Sequence, residues 1–532
     1  MGEFFKCNWK KIALTILLLA FAVFLFFKSE STGLTKIPLI ILYIMIFPIF
    51  FFGMFGIIGM LLGLILDILW FYLISCSLIA FFGILENKIN WNKKKLIVLS
   101  LIILIGILLY SFFNLGMSDI FVKAADDRGA TAEGVEEAVR ANNQFSIDLY
   151  SKIKDDSEGN IFFSPWSISN AMAMVYEGAR GETANEIQNV FYFPEEDSLR
   201  RSSYANMLNT INKGGGKYQL STANAIWLQE DYPFLQEYKD TISRYYLGNV
   251  NTLDFVKNPG QASSEINNWV SKNTNNKIKN IASPNMFDPL TRAVLTNAIY
   301  FKGKWEHQFD KKDTKQKDFT LESGKKVQIP TMQLRDDELK FNYCESDGIQ
   351  ILEMPYKGDK ISMLVLLPRT EASEDDEYNY YKYEFGLNEN LSLSNITHLE
   401  SILSEEKLKE WRSEMEPEIV FIYLPKYHFE TTYSLTDYLK SMGMSLPFVW
   451  PGADFSGIDG TEMLYIDEVL HKAYIDVYEE GTEAAAATIV SMGFGAAMPR
   501  FIEFRADHPF IFIIQEKETG NILFIGKVVD PR

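Results

Sequence analysis

Ten residues near the C-terminus, Glu479-Glu480-Gly481-Thr482-Glu483-Ala484-Ala485-Ala486-Ala487-Thr488, constrain this chain more than any other stretch. They come after a strand-like run, residues 473–478, and precede a segment of loop character, residues 491–500. Small side chains after a glycine can enter a β-sheet with little steric resistance. At period two, Thr482, Ala484, Ala486, Thr488, Val490, Met492 and Phe494 share one face, small or apolar throughout. Glu483, Ser491 and Gly493 lie on the other. The segment therefore reads as a loop in one state and a buried strand in another. Four consecutive alanines also suit a helix, so the rest of the chain has to decide.

The first 116 residues differ sharply in composition from residues 117–532. Residues 12–27 are apolar or nearly so, residues 37–85 carry a single charge, Asp67, and residues 96–113 form a third apolar run. A bilayer-spanning helix needs about 20 residues. The middle run is too long for one span and suits two, with Gly53, Gly56, Gly59 and Gly63 marking a turn. The reading is an all-α membrane block of four helices near 11–28, 37–57, 60–85 and 96–115. A signal peptide would account for the first run alone. Lys28, Lys36, Lys88, Lys93, Lys94 and Lys95 then share one side, against Lys6, Lys10, Lys11, Lys123 and Arg128 on the other. The heavier side faces the cytoplasm, which places the C-terminal part on the extracytoplasmic side. Asp67 reads as a helix-end or helix–helix contact residue, with no transport path beside it.

The net charge of −18 and pI near 4.9 argue against nucleic-acid binding, which needs a basic face. Of Cys7, Cys76 and Cys344, only the last lies beyond the apolar block, so no disulfide forms within the C-terminal part. Neither a metal-ligand spacing, a phosphate loop nor a nucleophile elbow is present, so the expectation is a protein that is not an enzyme and needs no cofactor or metal. Residues 117–137 read as a tether. Residues 371–395, rich in acids and tyrosines (Tyr378, Tyr380, Tyr381, Tyr383), read as a surface insertion carrying glycosylation sequons at Asn390 and Asn395. The remainder alternates helix and strand, with closing strands at 463–466, 473–478, 510–514 and 522–528.

Five blocks in order give this part of the chain a family likeness: residues 160–169 (NIFFSPWSIS), 178–183 (GARGET), 296–305 (TNAIYFKGKW), 470–473 (LHKA) and 504–514 (FRADHPFIFII). From residue 138 to 532 the chain resembles the serpins, the serine protease inhibitor family. The resemblance implies an α+β serpin fold of three β-sheets and eight or nine helices. It implies a long reactive loop outside a five-stranded sheet. A protease that cuts the loop is held as an acyl-enzyme while the loop inserts as a sixth strand. It implies a hinge at Glu480, Gly481, Thr482, Glu483, Ala484, Ala485, Ala486 and Ala487. Non-inhibitory relatives tend to carry bulky, charged or proline residues there, and this hinge is small. Ser164, Ser167, Asn297 and His471 match the family's shutter, a polar cluster beneath the point where the sheet opens. Trp305 matches the aromatic residue of the breach, where insertion begins.

Family spacing from Gly481 puts the reactive bond at Gly495-Ala496, with Phe494 as the alternative bait residue. Gly495 suits elastase-like or subtilisin-like serine proteases, Phe494 a chymotrypsin-like one. Pro499 constrains Met498, and the distant Arg500 disfavours trypsin-like targets. The leading reading is a membrane-anchored suicide inhibitor. The alternative is a non-inhibitory serpin scaffold that binds a partner at the membrane. A third makes the membrane block the working part. The oligomeric state is left open.

Overall fold

The computed structural model describes residues 124–212, 217–230, 234–287, 291–370, 394–482 and 501–532. The chain divides into two compact units, Met1–Val122 and Lys123–Arg532. The four expected membrane helices, residues 371–393 of the expected insertion at 371–395, and residues 483–500 lie outside the described residues. Among the described residues no helix is long and apolar enough to cross a membrane.

Strands are numbered in chain order. The main sheet runs β11 (Tyr427–Ser434), β12 (Glu468–Val477), β4 (Ala293–Lys304), β2 (Tyr218–Gln229), β3 (Asn249–Leu253), with a two-residue β13 (Gly481–Thr482) beside β4. A second sheet runs β1 (Ile161–Phe163), β16 (Ile522–Val528), β15 (Phe510–Glu516), β9 (Ile361–Pro368), β8 (Ile349–Pro355), β7 (Lys340–Ser346), β10 (Glu416–Pro425), β6 (Lys326–Leu334), β5 (Lys315–Thr320), with β14 (Ile502–Arg505) beside β10. Three sheets were expected from the resemblance, and two continuous ones are found among the described residues. The reason is β10: residues 416–419 pair with β7, while residues 420–425 pair with β14 and β6. One unbroken strand thus joins two sheets. β15 and β16 are buried along their whole length, as apolar runs covered on both faces must be.

Ten α-helical segments occur among the described residues, one or two more than expected. The first, α1 (Ala132–Asp156), starts where Thr131 accepts the Gly134 N–H. Ahead of it, Ala125 bonds Asn209 in both directions, and Asp126 N–H donates to Arg244 O. The domain therefore begins ahead of residue 138 and takes in the second half of the expected tether. The helix α2 (Pro165–Tyr176) has Pro165 at its first turn and Ser164 as its cap. Its residues from Pro165 to Val175 are buried under the main sheet. Around it lie α3 (Gly181–Phe191), α4 (Asp197–Asn212) and α5 (Gln236–Thr241). On the other face of the sheet, α6 (Pro259–Asn273) and residues 274–287 cover Ala225, Trp227, Val294, Ala298 and Leu470. The expected strand at 463–466 is absent: Ile466 N–H bonds Pro447 O there, and β12 starts at Glu468. Asn395 caps the helix α7 (Ile396–Ile402), its side-chain oxygen accepting from His398 N–H.

Candidate functional site: the sheet seam and its hinge

The seam between β4 and β12 organises the site. The two strands are parallel and in direct register, from Glu468↔Val294 to Tyr474↔Tyr300. No strand lies between them, so the sheet is closed along this line. At its far end the chain leaves β12 and turns back, with Tyr478 and Gly481 bridged. Gly481 and Thr482 then run antiparallel to β4, opposite Lys304 and Gly303. Of the expected hinge, Glu480 to Ala487, Gly481 and Thr482 are already sheet residues. Gly481 has φ +132°, and a Cβ there would stand 2.2 Å from Gly303 O. Only glycine fits both the turn and the close approach.

The two acids before the glycine hold this turn down. Glu479 is buried, accepts from Thr314 Oγ1 (2.8 Å) and pairs with Lys426 Nζ (2.9 Å). Burial pushes its carboxyl up, but the Lys426 and Thr314 bonds outweigh that and hold it below the usual carboxylate value. Glu480 is buried and pairs with the exposed Lys311 at 2.7 Å. Backbone bonds add to this: Trp305 N–H to Glu480 O (3.0 Å) and Phe309 N–H to Glu479 O (2.9 Å). Trp305 itself is buried, stacks on Tyr356 with centroids 4.5 Å apart, and donates Nε1–H to Tyr478 O at 3.0 Å. It is a post against which the turn rests. Glu483, Ala484, Ala485, Ala486, Ala487 and the bond Gly495-Ala496, with Phe494, lie outside the described residues.

Midway along the seam, Ser164, Ser167, Asn297 and His471 meet in one buried cluster. His471 and Asn297 are register partners on the two seam strands. Ser164 N–H donates to His471 Nε2 (3.1 Å), and His471 Nδ1 bonds Asn297 Oδ1. Ser164 Oγ donates to Leu523 O (2.6 Å) and caps α2 through Ser167 N–H (3.2 Å). Asn297 Nδ2 donates to Ser167 Oγ. The cluster therefore ties both seam strands to the helix beneath. Burial pushes the His471 imidazole down to about 3, so it is neutral. Opening the seam would part His471 from Asn297.

Sequence reasoning missed a fifth member, Asn224 of β2, which accepts from Ser167 Oγ (3.2 Å) and Asn297 Nδ2 and donates to Ser167 O (3.3 Å). Its signal was a lone amide inside an otherwise small or apolar run, Ala223-Asn224-Ala225-Ile226-Trp227. A strap on the other sheet face was missed too. Lys277 Nζ lies 5.8 Å over the Tyr300 ring of β4 and 5.4 Å over the Tyr474 ring of β12. Lys472 Nζ donates to Asn280 O at 2.7 Å. Among the described residues no group of His, Cys, Asp or Glu is arranged to hold a metal ion.

Known proteins share this architecture. The family model described as "Serpin (serine protease inhibitor)" matches residues 140–531. An uncharacterized serpin-like protein of Thermococcus kodakarensis is 40% identical over 406 residues, covering 75% of this chain and 87% of its own length. The leukocyte elastase inhibitor of Equus caballus is 35% identical over 403 residues, covering 75% and 100%. Among solved structures, uncleaved ovalbumin superposes with a TM-score of 0.62 at 32% identity, covering 74% of this chain and all of its own. The native state of the thermophilic serpin tengpin gives 0.62 at 28% identity, covering 74% and 94%.

Proposed function

The chain belongs to the serpin family, and from that premise we propose that it is a membrane-anchored inhibitor that traps serine proteases by loop insertion. The observation that carries this reading is the closed seam with the hinge seated at its end. Continuing the register Gly481↔Lys304 and Thr482↔Gly303 assigns every later residue an address on β4. Ala484 to Ala487 arrive opposite Phe301 to Ala298, and Thr488 arrives opposite Asn297. β4 is buried over this stretch, so small residues are what the slot can take. Glu483 falls opposite Lys302, which is only partly buried, on the face away from α2. Insertion then gives the new strand hydrogen-bonding neighbours on both sides, each bond contributing about 1 kcal/mol net.

The protease attacks the loop carbonyl at Gly495, with Phe494 the alternative, and its serine becomes acylated. Trapping requires insertion to outrun deacylation. The horse relative's name concerns elastase, and a glycine bait suits the same shallow-pocket class; chymotrypsin-like and subtilisin-like enzymes are the other candidates. The anchor is residues 1–116, and the lysine distribution puts the serpin domain on the extracytoplasmic side. Thr482→Arg in the full chain tests the mechanism, because it forces a long cation into a position that insertion buries. The expected result is that protease cleaves this variant and is released, while the wild type stays bound. Unchanged trapping by the variant would contradict insertion.

A further inference from the structure

Lys277 reaches both sides of the closed seam. Tyr300 of β4 and Tyr474 of β12 are register partners, and their ring centroids stand 6.3 Å apart with the planes at 49°. Lys277 Nζ lies over both rings, within the reach of about 6 Å at which a cation is drawn to an aromatic face. Tyr300 is buried and Lys277 half-buried, so water screens the contact only in part. The Lys472 bond to Asn280 O joins the same segment to β12 only, whereas the Lys277 contact crosses the seam.

The turn that carries Lys277 is held by α6. Thr274, directly after that helix, is buried and donates Oγ1–H to Val270 O (2.8 Å). Its carbonyl accepts Lys277 N–H (2.9 Å), and its Oγ1 accepts Ile278 N–H (3.3 Å). Asn276 N–H bonds Ser271 O (2.8 Å). Ile278 is fully buried between α6 and the main sheet. Asn275 and Asn276 take left-handed backbone, φ +51° and +60°, which asparagine tolerates better than most residues. The backbone at residue 277 is thus fixed from the α6 side, and the side chain extends from it to the two strands. Neighbouring strands lie about 4.8 Å apart, so a strand entering this seam would set the two rings about 11 Å apart. A cation midway between them would face ring edges, which repel it, so Lys277 would keep one face and lose the other.

We propose that Lys277 latches the seam: its ammonium group holds β4 and β12 together through Tyr300 and Tyr474, and the sheet takes in another strand only after one ring is released. The part this plays in trapping rests on the loop-insertion reading. Lys277 touches no reacting atom there; it is a positioning residue that sets how fast the two strands part.

Hydrogen exchange of the uncleaved full chain, followed segment by segment with mass spectrometry, tests the latch. Removing the charge with Lys277→Met should speed exchange of the seam strands, residues 293–304 and 468–477, about 2- to 30-fold. Lys277→Arg keeps a cation over the rings and should exchange as wild type does. Residues 510–528, in the second sheet, should be unchanged in both variants. Lys277→Met should also trap a larger share of the protease that cuts it, because faster insertion competes better with deacylation. Seam exchange in Lys277→Met equal to wild type would overturn the latch. Lys277→Arg as fast as Lys277→Met would overturn it too, since packing and not charge would then be at work. So would acceleration of residues 510–528 along with the seam, which marks a general loss of stability. Faster seam exchange confined to Lys277→Met, with a wild type that traps no protease, would leave the latch standing and overturn the insertion reading.

Discussion

At His471 only a neutral imidazole fits. Ser164 N–H points at Nε2, so that nitrogen accepts, and Nδ1 carries the proton toward Asn297 Oδ1. A second proton would leave two donors facing each other in a buried site. The folded value of about 3 lies below the ordinary 6.5, so between these limits the unfolded chain binds a proton that the folded chain does not. The stability that His471 contributes is complete above pH 6.5 and is lost as pH falls from 6.5 toward 3, at about 1.4 kcal/mol per unit. Denaturant unfolding between pH 7 and 4 should show this slope, and His471→Gln should flatten it; an unchanged slope would refute the assignment. Glu479 acts lower. Its value is held below 4.5, so its contribution is complete above that pH and is lost as pH falls through the depressed folded value. Glu479→Gln should leave Lys426 facing a neutral partner and accelerate proteolytic clipping of the hinge at pH 7. At this scale the sequence showed Ser164, Ser167, Asn297 and His471, because each sits in a recognisable block. Asn224, Lys426, Thr314 and Lys311 were not legible, since they join the site only through tertiary packing.

Among elements, the seam and the hinge strand carry the mechanism. In the proposed inserted strand, continuing the register of Gly481 and Thr482 would set Ala484 and Ala486 opposite Phe301 and Ile299 on the α2 side, and Ala485 and Ala487 opposite Tyr300 and Ala298 on the side of Lys277 and Lys472. Ala486→Leu should therefore crowd Ile299, which is fully buried. Overpacking costs about 1–3 kcal/mol, which slows insertion roughly 5- to 150-fold. Rapid-mixing assays should then show more cleaved, unbound inhibitor per trapped protease, with the unfolding temperature of the uncleaved variant unchanged. An unaltered ratio would mean that Ala486 does not enter opposite Ile299. The period-two pattern after Gly481 is a reading of the sequence alone. The early pairing of Gly481 and Thr482 was not legible there, because it depends on Gly303, which leaves room for the turn. The expected strand at 463–466 failed because the Ile466 N–H is bonded to Pro447 O instead of joining a ladder.

For the whole molecule, the break in composition at residue 116 and the five family blocks divided the chain before any geometry. They did not set the start of the domain, because residues 124–131 are small or polar and only their bonds to Asn209 and Arg244 tie them down. Nor did they foresee that β10 fuses two sheets. If insertion along the β4–β12 seam drives inhibition, protease attack must end in a covalent trap. The measurement is to incubate the full chain with elastase-, chymotrypsin- and subtilisin-like proteases, separate the products under denaturing conditions and determine the released C-terminal peptide by mass spectrometry. The expected product is a band at the summed mass of protease and inhibitor fragment, with the peptide beginning at Ala496, or at Gly495 if Phe494 is the bait. Complete loop cleavage without any such band, across all three protease classes, would contradict trapping by insertion.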